Sequence, residues 1–433
     1  MREIGIGILG FGTVGAGVVD ALYKNGEIIE GRSGIKPTIK KIADLDITTD
    51  RGISISDDIL TTDALSVIED DDVEVIVELI GGSRIAKELI EHALCLGKPV
   101  VTANKALLAD FGHELYNLAE KHDTGIYYEA AVGGGIPVLR AQREGLICNQ
   151  IESIYGILNG TCNYILSKME NDNLSFEKVL SDAQKLGYAE TPPDLDIDGI
   201  DTAHKAVILA SMAYGSAIPM GACPTSGIRN ISEVDILNSD ELGYRIKLLA
   251  IIKKIDDLIE ISVEATLVPK FSIIGSVNDS FNAVFIKGDI VDDTMYYGRG
   301  AGRLPTGSSV ISDIMEASKD VINNNGTPVC TNMMRQNNDI QYLSKDNVIK
   351  RCYIRLNLKD EPGSMAQVMK VLGEYSINVD SVIQKKQHLN GTVPVIILTE
   401  EAQEINFCNA LDVITNLSIS IDEPVRMRLE DFS

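Results

Sequence analysis

Between Gly187 and Lys205 the chain sets five carboxylates, Glu190, Asp194, Asp196, Asp198 and Asp201, ahead of one lysine. Acids at that density can hold an ammonium group, and a lysine beside them can move a proton or polarise a carbonyl. Asp194, Asp196, Asp198 and Gly199 also spell the first half of a calcium-binding loop. That loop needs a bidentate glutamate at its twelfth position, where Lys205 stands, and an entering helix that Pro192 and Pro193 forbid. A cleft for an amino-bearing substrate is the better reading. Two other groups have the right types and spacing for chemistry. Gly10, Gly12 and Gly15 form a Gly-x-Gly-x-x-Gly loop, and Asn104-Lys105 follows an apolar run.

These residues need elements to hold them. Ile4–Leu9 reads as a buried strand and Ala16–Leu22 as a helix, the context in which such a glycine loop binds a dinucleotide. Gly10 permits the tight turn, Gly12 lets the pyrophosphate approach, and Gly15 lets helix and strand pack. Phe11, Thr13 and Val14 complete the cofactor loop, and the helix start faces the phosphates with its free N–H groups. A second strand over 38–43 ends at Asp44, placed to hydrogen-bond ribose hydroxyls and repel a 2′-phosphate. Asp46 is its rival. A polar insertion, about residues 25–37, delays Asp44 beyond the usual spacing. No arginine stands at the strand end, which favours NAD over NADP, although Arg51 is near enough to fold back. Strands over 73–80 and 98–102, with a helix at 85–96, continue the domain. Ligands sit at the carboxyl ends of such strands, so Gly81, Thr102, Asn104 and Lys105 should line the cleft. A lysine at a helix start opposes the helix dipole, which invites a functional explanation.

The 433 residues suffice for two to four domains, and 45% apolar with 24% charged residues is ordinary for a globular protein. A net charge of −24 repels nucleic acid and anionic membranes. Seven cysteines stand singly, which argues against a zinc site or disulfide framework and for a reducing cytoplasm. The N-terminus enters a strand without a signal-peptide pattern. Residues 206–228 carry no charge, but Gly215, Pro219, Gly221 and Pro224 break them, so a buried helix over 200–214 and a loop are expected rather than a membrane span.

Further along, a strand over 125–129 leads to Gly133–Gly135. A strand over 154–158 runs into Asn159, Gly160 and Thr161, then a helix near 164–171 and another over 175–186 closed by Gly187. Residues 156–166, 187–190, Asp201 with Lys205, Val101–Lys105, and Tyr297–Gly302 with Pro305 and Thr306 closely resemble the homoserine dehydrogenase family, in order along the whole chain. The resemblance implies reversible, nicotinamide-dependent reduction of L-aspartate 4-semialdehyde to L-homoserine in threonine and methionine biosynthesis. It assigns proton and carbonyl work to Lys105 and Lys205, with Lys105 the principal acid/base. It gives Asn159, Gly160, Thr161, Glu190, Asp196 and Asp201 to the substrate and Gly302 to the cofactor. It also implies a monovalent cation such as sodium, held mainly by backbone carbonyls of Glu129, Val132, Gly134 and Ile136. Without it, Asp201 and Lys205 would be a helix pair worth ~0.3–0.5 kcal/mol.

Three positions depart from the family. Thr191 and Pro192 follow Glu190 where an acid is often found two residues on, Cys162 replaces a common threonine, and Leu45 stands where many members carry an arginine for the NADP phosphate. No motif supplies a histidine base for Cys162, which reads as a packing residue. Leu45 agrees with Asp44.

Residues 316–350 are polar and asparagine-rich. A helix near 305–323 is expected to return onto the first domain, with 324–350 as a linker. Strand 352–358, helix 364–375, strands 378–384 and 393–399, helix 401–416 and strand 423–430 then give a ferredoxin-like βαββαβ order. Asp360–Ser364, Ile377, Asn378 and Gln384 resemble the ACT family of amino-acid-sensing domains. That implies pairing through the sheets and an effector such as threonine at Gly363, Asn378 and Gln384; Glu400 departs from a Thr-His pair common in related tails. The expected organisation is an α/β Rossmann-type domain over 1–132, an α+β catalytic and dimerisation domain over 133–304, and an ACT domain over 351–433. The expected protein is a cytoplasmic homodimer or homotetramer. Two rivals are a dehydrogenase acting at a carbon–nitrogen bond and a non-catalytic sensor of NAD and an amino acid.

Overall fold

The structure is a computed structural model that describes residues 2–324, 340–384 and 391–432. In chain order the elements begin β1 (Arg2–Leu9), α1 (Thr13–Ser33), β2 (Ile35–Ala43), β3 (Leu60–Thr61), α2 (Ala64–Ile68) and β4 (Val75–Glu78). They continue with α3 (Arg84–Cys95), β5 (Val100–Thr102), α4 (Lys105–Lys121), β6 (Ile126–Tyr127), α5 (Val138–Arg140) and β7 (Ile151–Ile157). Four helices follow, α6 (Gly160–Asp172), α7 (Phe176–Lys185), α8 (Asp194–Ile197) and α9 (Ile200–Tyr214), then α10 (Glu233–Glu241). Next come β8 (Tyr244–Ile255), β9 (Leu258–Pro269), β10 (Phe281–Gly288), β11 (Asp292–Arg299) and α11 (Arg303–Asn323). The tail holds β12 (Gln341–Tyr342), β13 (Ile349–Lys359), α12 (Ser364–Glu374), β14 (Val379–Gln384), β15 (Thr392–Thr399), β16 (Ala402–Gln403), α13 (Glu404–Thr415) and β17 (Val425–Leu429). Two compact units result. One comprises Met1–Gly160, Ala203–Cys223 and Phe281–Ile340, the other Thr161–Thr202, Pro224–Ser280 and Gln341–Ser433.

In the first unit, Ile4, Ile6, Ile8 and Leu9 are fully buried, so β1 lies at the centre of its sheet. The six strands are parallel and ordered β3-β2-β1-β4-β5-β6. This is the doubly wound order of dinucleotide-binding folds, whose ligand crevice opens where the order reverses, between β1 and β4. Helix α11 returns onto this sheet. Its Val310, Ile311, Ile314 and Ala317 share one core with Ile4, Ile6, Val18, Val19, Val75 and Val77. Two glycines allow that approach: a Cβ on Gly17 would stand 2.1 Å from the carbonyl oxygen of Arg303, and one on Gly307 would stand 3.0 Å from the backbone of Gly17. The same unit carries an antiparallel sheet ordered β11-β10-β7.

The polar insertion expected over 25–37 is taken up by helix and strand. Helix α1 continues to Ser33, ends at left-handed Gly34 (φ 72°), and β2 starts at once. Gly26 and Gly31 lie in open space on this extension, so their poor helix propensity costs little packing. Among the described residues no helix is long and apolar enough to cross a membrane, and 200–214 is the helix expected there.

In the second unit the strands run β8-β9-β17-β13-β15-β14. From β13 onward the order is β-α-β-β-α-β, with β13 antiparallel to both β15 and β17 and β14 antiparallel to β15, the ferredoxin-like arrangement. Its core joins Cys352, Ile354, Leu356, Val368, Phe407 and Ile414. Part of the expected linker is ordered: β12 pairs in parallel with Leu258 and Ile259 of β9, and β13 already begins at Ile349. Residues 325–339 of that linker lie outside the described residues.

Candidate active site

The chain turns sharply after β1. Gly10 has φ 101°, and a Cβ there would stand 2.6 Å from the backbone of Leu79. Gly15 would place a Cβ 2.1 Å from the carbonyl oxygen of Gly10. At Gly12 a Cβ would meet nothing within 4 Å. The protein itself therefore requires Gly10 and Gly15. Gly12, at the N-cap of α1, borders open space in which a pyrophosphate can approach the unpaired N–H groups of the first turn, opened by Thr13 and Val14.

Asp44 closes this loop from the end of β2. Its carboxylate accepts the Phe11 N–H at 2.5 Å and the Asp46 N–H at 2.8 Å, and lone pairs remain for ribose hydroxyls. Asp46 is turned into its own loop, where Thr48, Thr49 and Arg51 bond it. Hydrogen bonds from Thr49 and Thr48 hold its carboxyl below the usual range. Arg51 folds back onto Asp46, while Leu45 is 92% exposed. Gly302 forms the N-cap of α11 with φ 126°.

Across the crevice, β4 ends in Glu78, wholly buried. Its carboxylate accepts from Thr102 Oγ1 at 2.7 Å and Ile80 N–H at 2.8 Å, and burial pushes its pKa up. Thr102 Oγ1 accepts from the Asn104 N–H at 3.0 Å, and Asn104 Nδ2 donates to the Gly82 carbonyl at 2.5 Å. Asn104 Oδ1 accepts from Leu107 N–H, which makes Asn104 the N-cap of α4 and Lys105 its first residue. Gly81, Thr102, Asn104 and Lys105 thus gather at the carboxyl edge of the sheet, held by an acid that the sequence reading passed over. An acid closing the apolar run Val75–Val77 was the available signal.

Lys205 is 8% exposed, and its Nζ donates to the Leu158 carbonyl at 2.7 Å. That bond brings it to the end of β7, directly ahead of buried Asn159. Helix α9 carries Asp201 one turn before Lys205, also 8% exposed. The loop after β6 holds the four candidate cation ligands. The Glu129 carboxylate accepts the N–H groups of Leu139 (2.9 Å) and Arg140 (2.7 Å), and burial raises its pKa to about 7. The side chain is thus turned to the start of α5, and only main-chain carbonyls of this loop suit a cation. Those of Glu129 and Ile136 each accept one N–H, from Val132 and Val138, and a carbonyl oxygen retains a second lone pair. Val132 is buried, and Gly134, at φ 54°, packs against Gly300.

In the second unit, α6 starts at Gly160 instead of near 164, so Thr161 and Asn163 lie in its first turn. Thr161 Oγ1 donates to the Tyr188 carbonyl at 2.5 Å, and Cys162 Sγ to the Asp196 carbonyl at 3.2 Å. The acid-rich stretch is thereby laid against the α6 N-terminus, and Cys162, 0% exposed, packs there. The five carboxylates divide. Arg229 binds both Asp194 and Asp198, and Glu190 is exposed. Two positioning groups were missed. Arg229 has no sequence signal, whereas Lys247 interrupts a buried apolar strand run. Lys247 Nζ donates to Asn163 Oδ1 at 3.0 Å and to the Val277 carbonyl, and burial lowers its pKa to about 8.

A model of the homoserine dehydrogenase NAD-binding domain matches residues 10–129, and a homoserine dehydrogenase model matches 137–315. A homoserine dehydrogenase of Neisseria gonorrhoeae is 39% identical over 430 residues, 99% of this chain and 98% of its own. The chain belongs to the homoserine dehydrogenase family. A solved homoserine dehydrogenase from Thiobacillus denitrificans matches with TM-score 0.93 at 37% identity, over 100% of this chain and 99% of its own. A hyperthermophilic archaeal homoserine dehydrogenase in complex with NADPH matches 73% of this chain and 98% of its own, with TM-score 0.62 at 27% identity. As a homoserine dehydrogenase, the chain is an NAD(P)-dependent oxidoreductase, and its 10–129 match falls on the sheet that carries Gly10–Gly15 and Lys105.

Proposed function

We propose that Lys205 and Lys105 carry the proton chemistry of L-homoserine oxidation and its reverse. The observation that supports this is the buried Lys205 ammonium on the Leu158 carbonyl, at the mouth of the Asn159–Thr161 segment. A buried ammonium stabilises a developing alkoxide more strongly than water does. Bound nicotinamide supplies the hydride acceptor, and the alcohol proton leaves to a lysine, Lys105 as the principal base. Glu190, Asp196 and Asp201 offer carboxylates to the substrate ammonium and hydroxyl, while Asn159, Gly160 and Thr161 shape its seat. Gly10, Gly12 and Gly15 would hold the pyrophosphate with Phe11, Thr13 and Val14, and Asp44 the adenosine ribose. Gly81, Thr102, Asn104 and Gly302 complete the cofactor contacts. Asp44 and Leu45 favour NAD; the archaeal relative's NADPH makes NADP the alternative. A monovalent cation such as sodium suits the carbonyls of Glu129, Val132, Gly134 and Ile136.

The proposal extends to the tail. The βαββαβ unit is read as an ACT domain with an effector such as threonine at Gly363, Asn378 and Gln384. Gly363 is left-handed (φ 93°) at the start of α12, and Asn378 Nδ2 donates to Glu400 Oε2 at 3.3 Å. The three-part division at 1–132, 133–304 and 351–433, a homodimer or homotetramer, and a cytoplasmic location belong to the same reading.

The test follows nicotinamide absorbance while the protein oxidises L-homoserine with NAD or NADP, with and without L-threonine. Turnover without added ammonia, higher kcat/KM with NAD and inhibition by threonine are expected. Turnover only with ammonia would support the carbon–nitrogen alternative, and none at all by a folded, NAD-binding protein would support the sensor.

A further inference from the structure

Away from these residues, the first unit contains a cleft of about 470 Å³ that the activity does not use. Its walls are the last turns of α1, the later turns of α11 and the chain from Arg140 to Glu144. We propose that this cleft binds a small phosphate monoester. The glycine loop lies at the other end of α1, about 25 Å along the helix axis. The cleft is therefore separate from the dinucleotide crevice, and the inference does not rest on the roles assigned above.

Charge balance carries the first part of the argument. Acidic residues outnumber basic ones by 63 to 39, so a cation that meets no carboxylate is unusual in this chain. Both acids of the cleft are already matched. Glu316 pairs with Arg140 and Arg143, and Glu144 pairs with the same two arginines at 3.5 and 2.8 Å. Behind them Asp313 lies 3.7 Å from Arg140, but burial pushes its carboxyl well above the usual range and so towards the neutral form. Arg32 and Lys319 face the cleft from α1 and α11, and neither forms an ion pair among the described residues. Arg32 also meets the negative end of the α1 dipole, a role that leaves its N–H groups to solvent. Two positive charges thus stand uncompensated, and a phosphate monoester, close to a dianion at neutral pH, matches both.

Hydrogen-bonding capacity carries the second part. Ser312 Oγ accepts Arg140 Nη1 at 2.5 Å, which leaves its O–H to donate. Arg140 Nε is buried without a hydrogen-bond partner. With Arg32 and Lys319 these groups line the cleft with donors, while its two carboxylates are turned to arginines. The oxygens of an ionised phosphate are acceptors only, and charge-assisted bonds to them are strong. Ile29 and Met315, packed against the core of the unit, add apolar wall for a short carbon chain that a bare ion would leave uncovered.

The test is calorimetric titration of the full-length protein with glycerol 3-phosphate, with and without NAD. Glycerol and acetate serve as uncharged and singly charged controls. Saturable binding of the phosphate ester alone, unaffected by NAD, is expected. Arg32→Gln and Lys319→Gln should each weaken it about ten-fold. Both side chains are exposed, so the unfolding midpoints should not move. Lys178→Gln, which makes the same charge change outside the cleft, should leave binding unchanged. The inference is overturned if no saturable binding appears up to about 10 mM, or if acetate or glycerol binds equally well. Binding that survives the double substitution, or that Lys178→Gln weakens as much, would overturn it too. So would binding that NAD abolishes, which would place the ester in the dinucleotide crevice.

Discussion

Single side chains set the electrostatic character of this homoserine dehydrogenase. Asp44 is already bonded to the Phe11 and Asp46 N–H groups, whereas Leu45 beside it is 92% exposed and touches little that holds the fold. Leu45→Arg should therefore leave the unfolding midpoint unchanged and raise kcat/KM for NADP relative to NAD by about ten-fold, the effect of one charge-assisted phosphate contact. Steady-state kinetics with both cofactors would show it, and an unchanged ratio would remove Leu45 from the preference. Lys247 makes a second case. Burial holds its folded-state pKa near 8 against 10.5 for a free lysine. The unfolded chain then binds more protons than the folded one between those values, so stability rises with pH across the window, by on the order of 3 kcal/mol. Denaturant midpoints at pH 7.5 and 10 should differ less in Lys247→Met than in the wild type. Equal differences would show that Asn163 Oδ1 and Val277 keep the ammonium charged throughout.

At the scale of elements, the three loop glycines separate into two kinds. A methyl at Gly15 would collide with the Gly10 carbonyl, so Gly15→Ala should cost about 1–3 kcal/mol of stability. Gly12→Ala meets no protein atom and should leave stability intact while weakening NAD binding about ten-fold. Paired unfolding and NAD-titration curves distinguish them; equal destabilisation would mean that Gly12 is needed by the fold alone. This loop was legible because strand, glycine spacing and helix all lie within twenty-two residues of the start of the chain. So were β13, β14, β15 and β17, short apolar runs between turns and helices, whereas β16 falls where the helix over 401–416 was expected to begin. The full length of α1 was hidden by Gly26 and Gly31, poor helix formers within the expected polar insertion, where an added Cβ would meet nothing within 4 Å. The start of α6 was hidden by Asn159–Asn163, a run of turn-formers that the packing of Thr161 on Tyr188 draws into a helix. Least legible were the partners that the topology alone brings together. Arg229 with Asp194 and Asp198, and Lys350 with Glu264 and Glu404, stand 31 or more residues apart in sequence, so only the folded chain sets their pairing.

For the molecule as a whole, likeness over the full length to other homoserine dehydrogenases identifies the reaction, and the division of labour proposed for the two lysines rests on where the geometry holds them. The Glu78–Thr102–Asn104 chain fixes Lys105 at the sheet edge, and the Leu158 carbonyl fixes Lys205. The most direct test of that division is Lys205→Ala, with kcat for L-homoserine oxidation and the NAD dissociation constant measured on the same preparation. The account predicts that kcat falls by roughly 10²–10⁴-fold, the range for loss of a positioned proton-transfer group, while the dissociation constant and unfolding midpoint stay near wild type. A parallel loss of turnover, cofactor binding and stability would make Lys205 a structural support for the end of β7 and contradict the assignment.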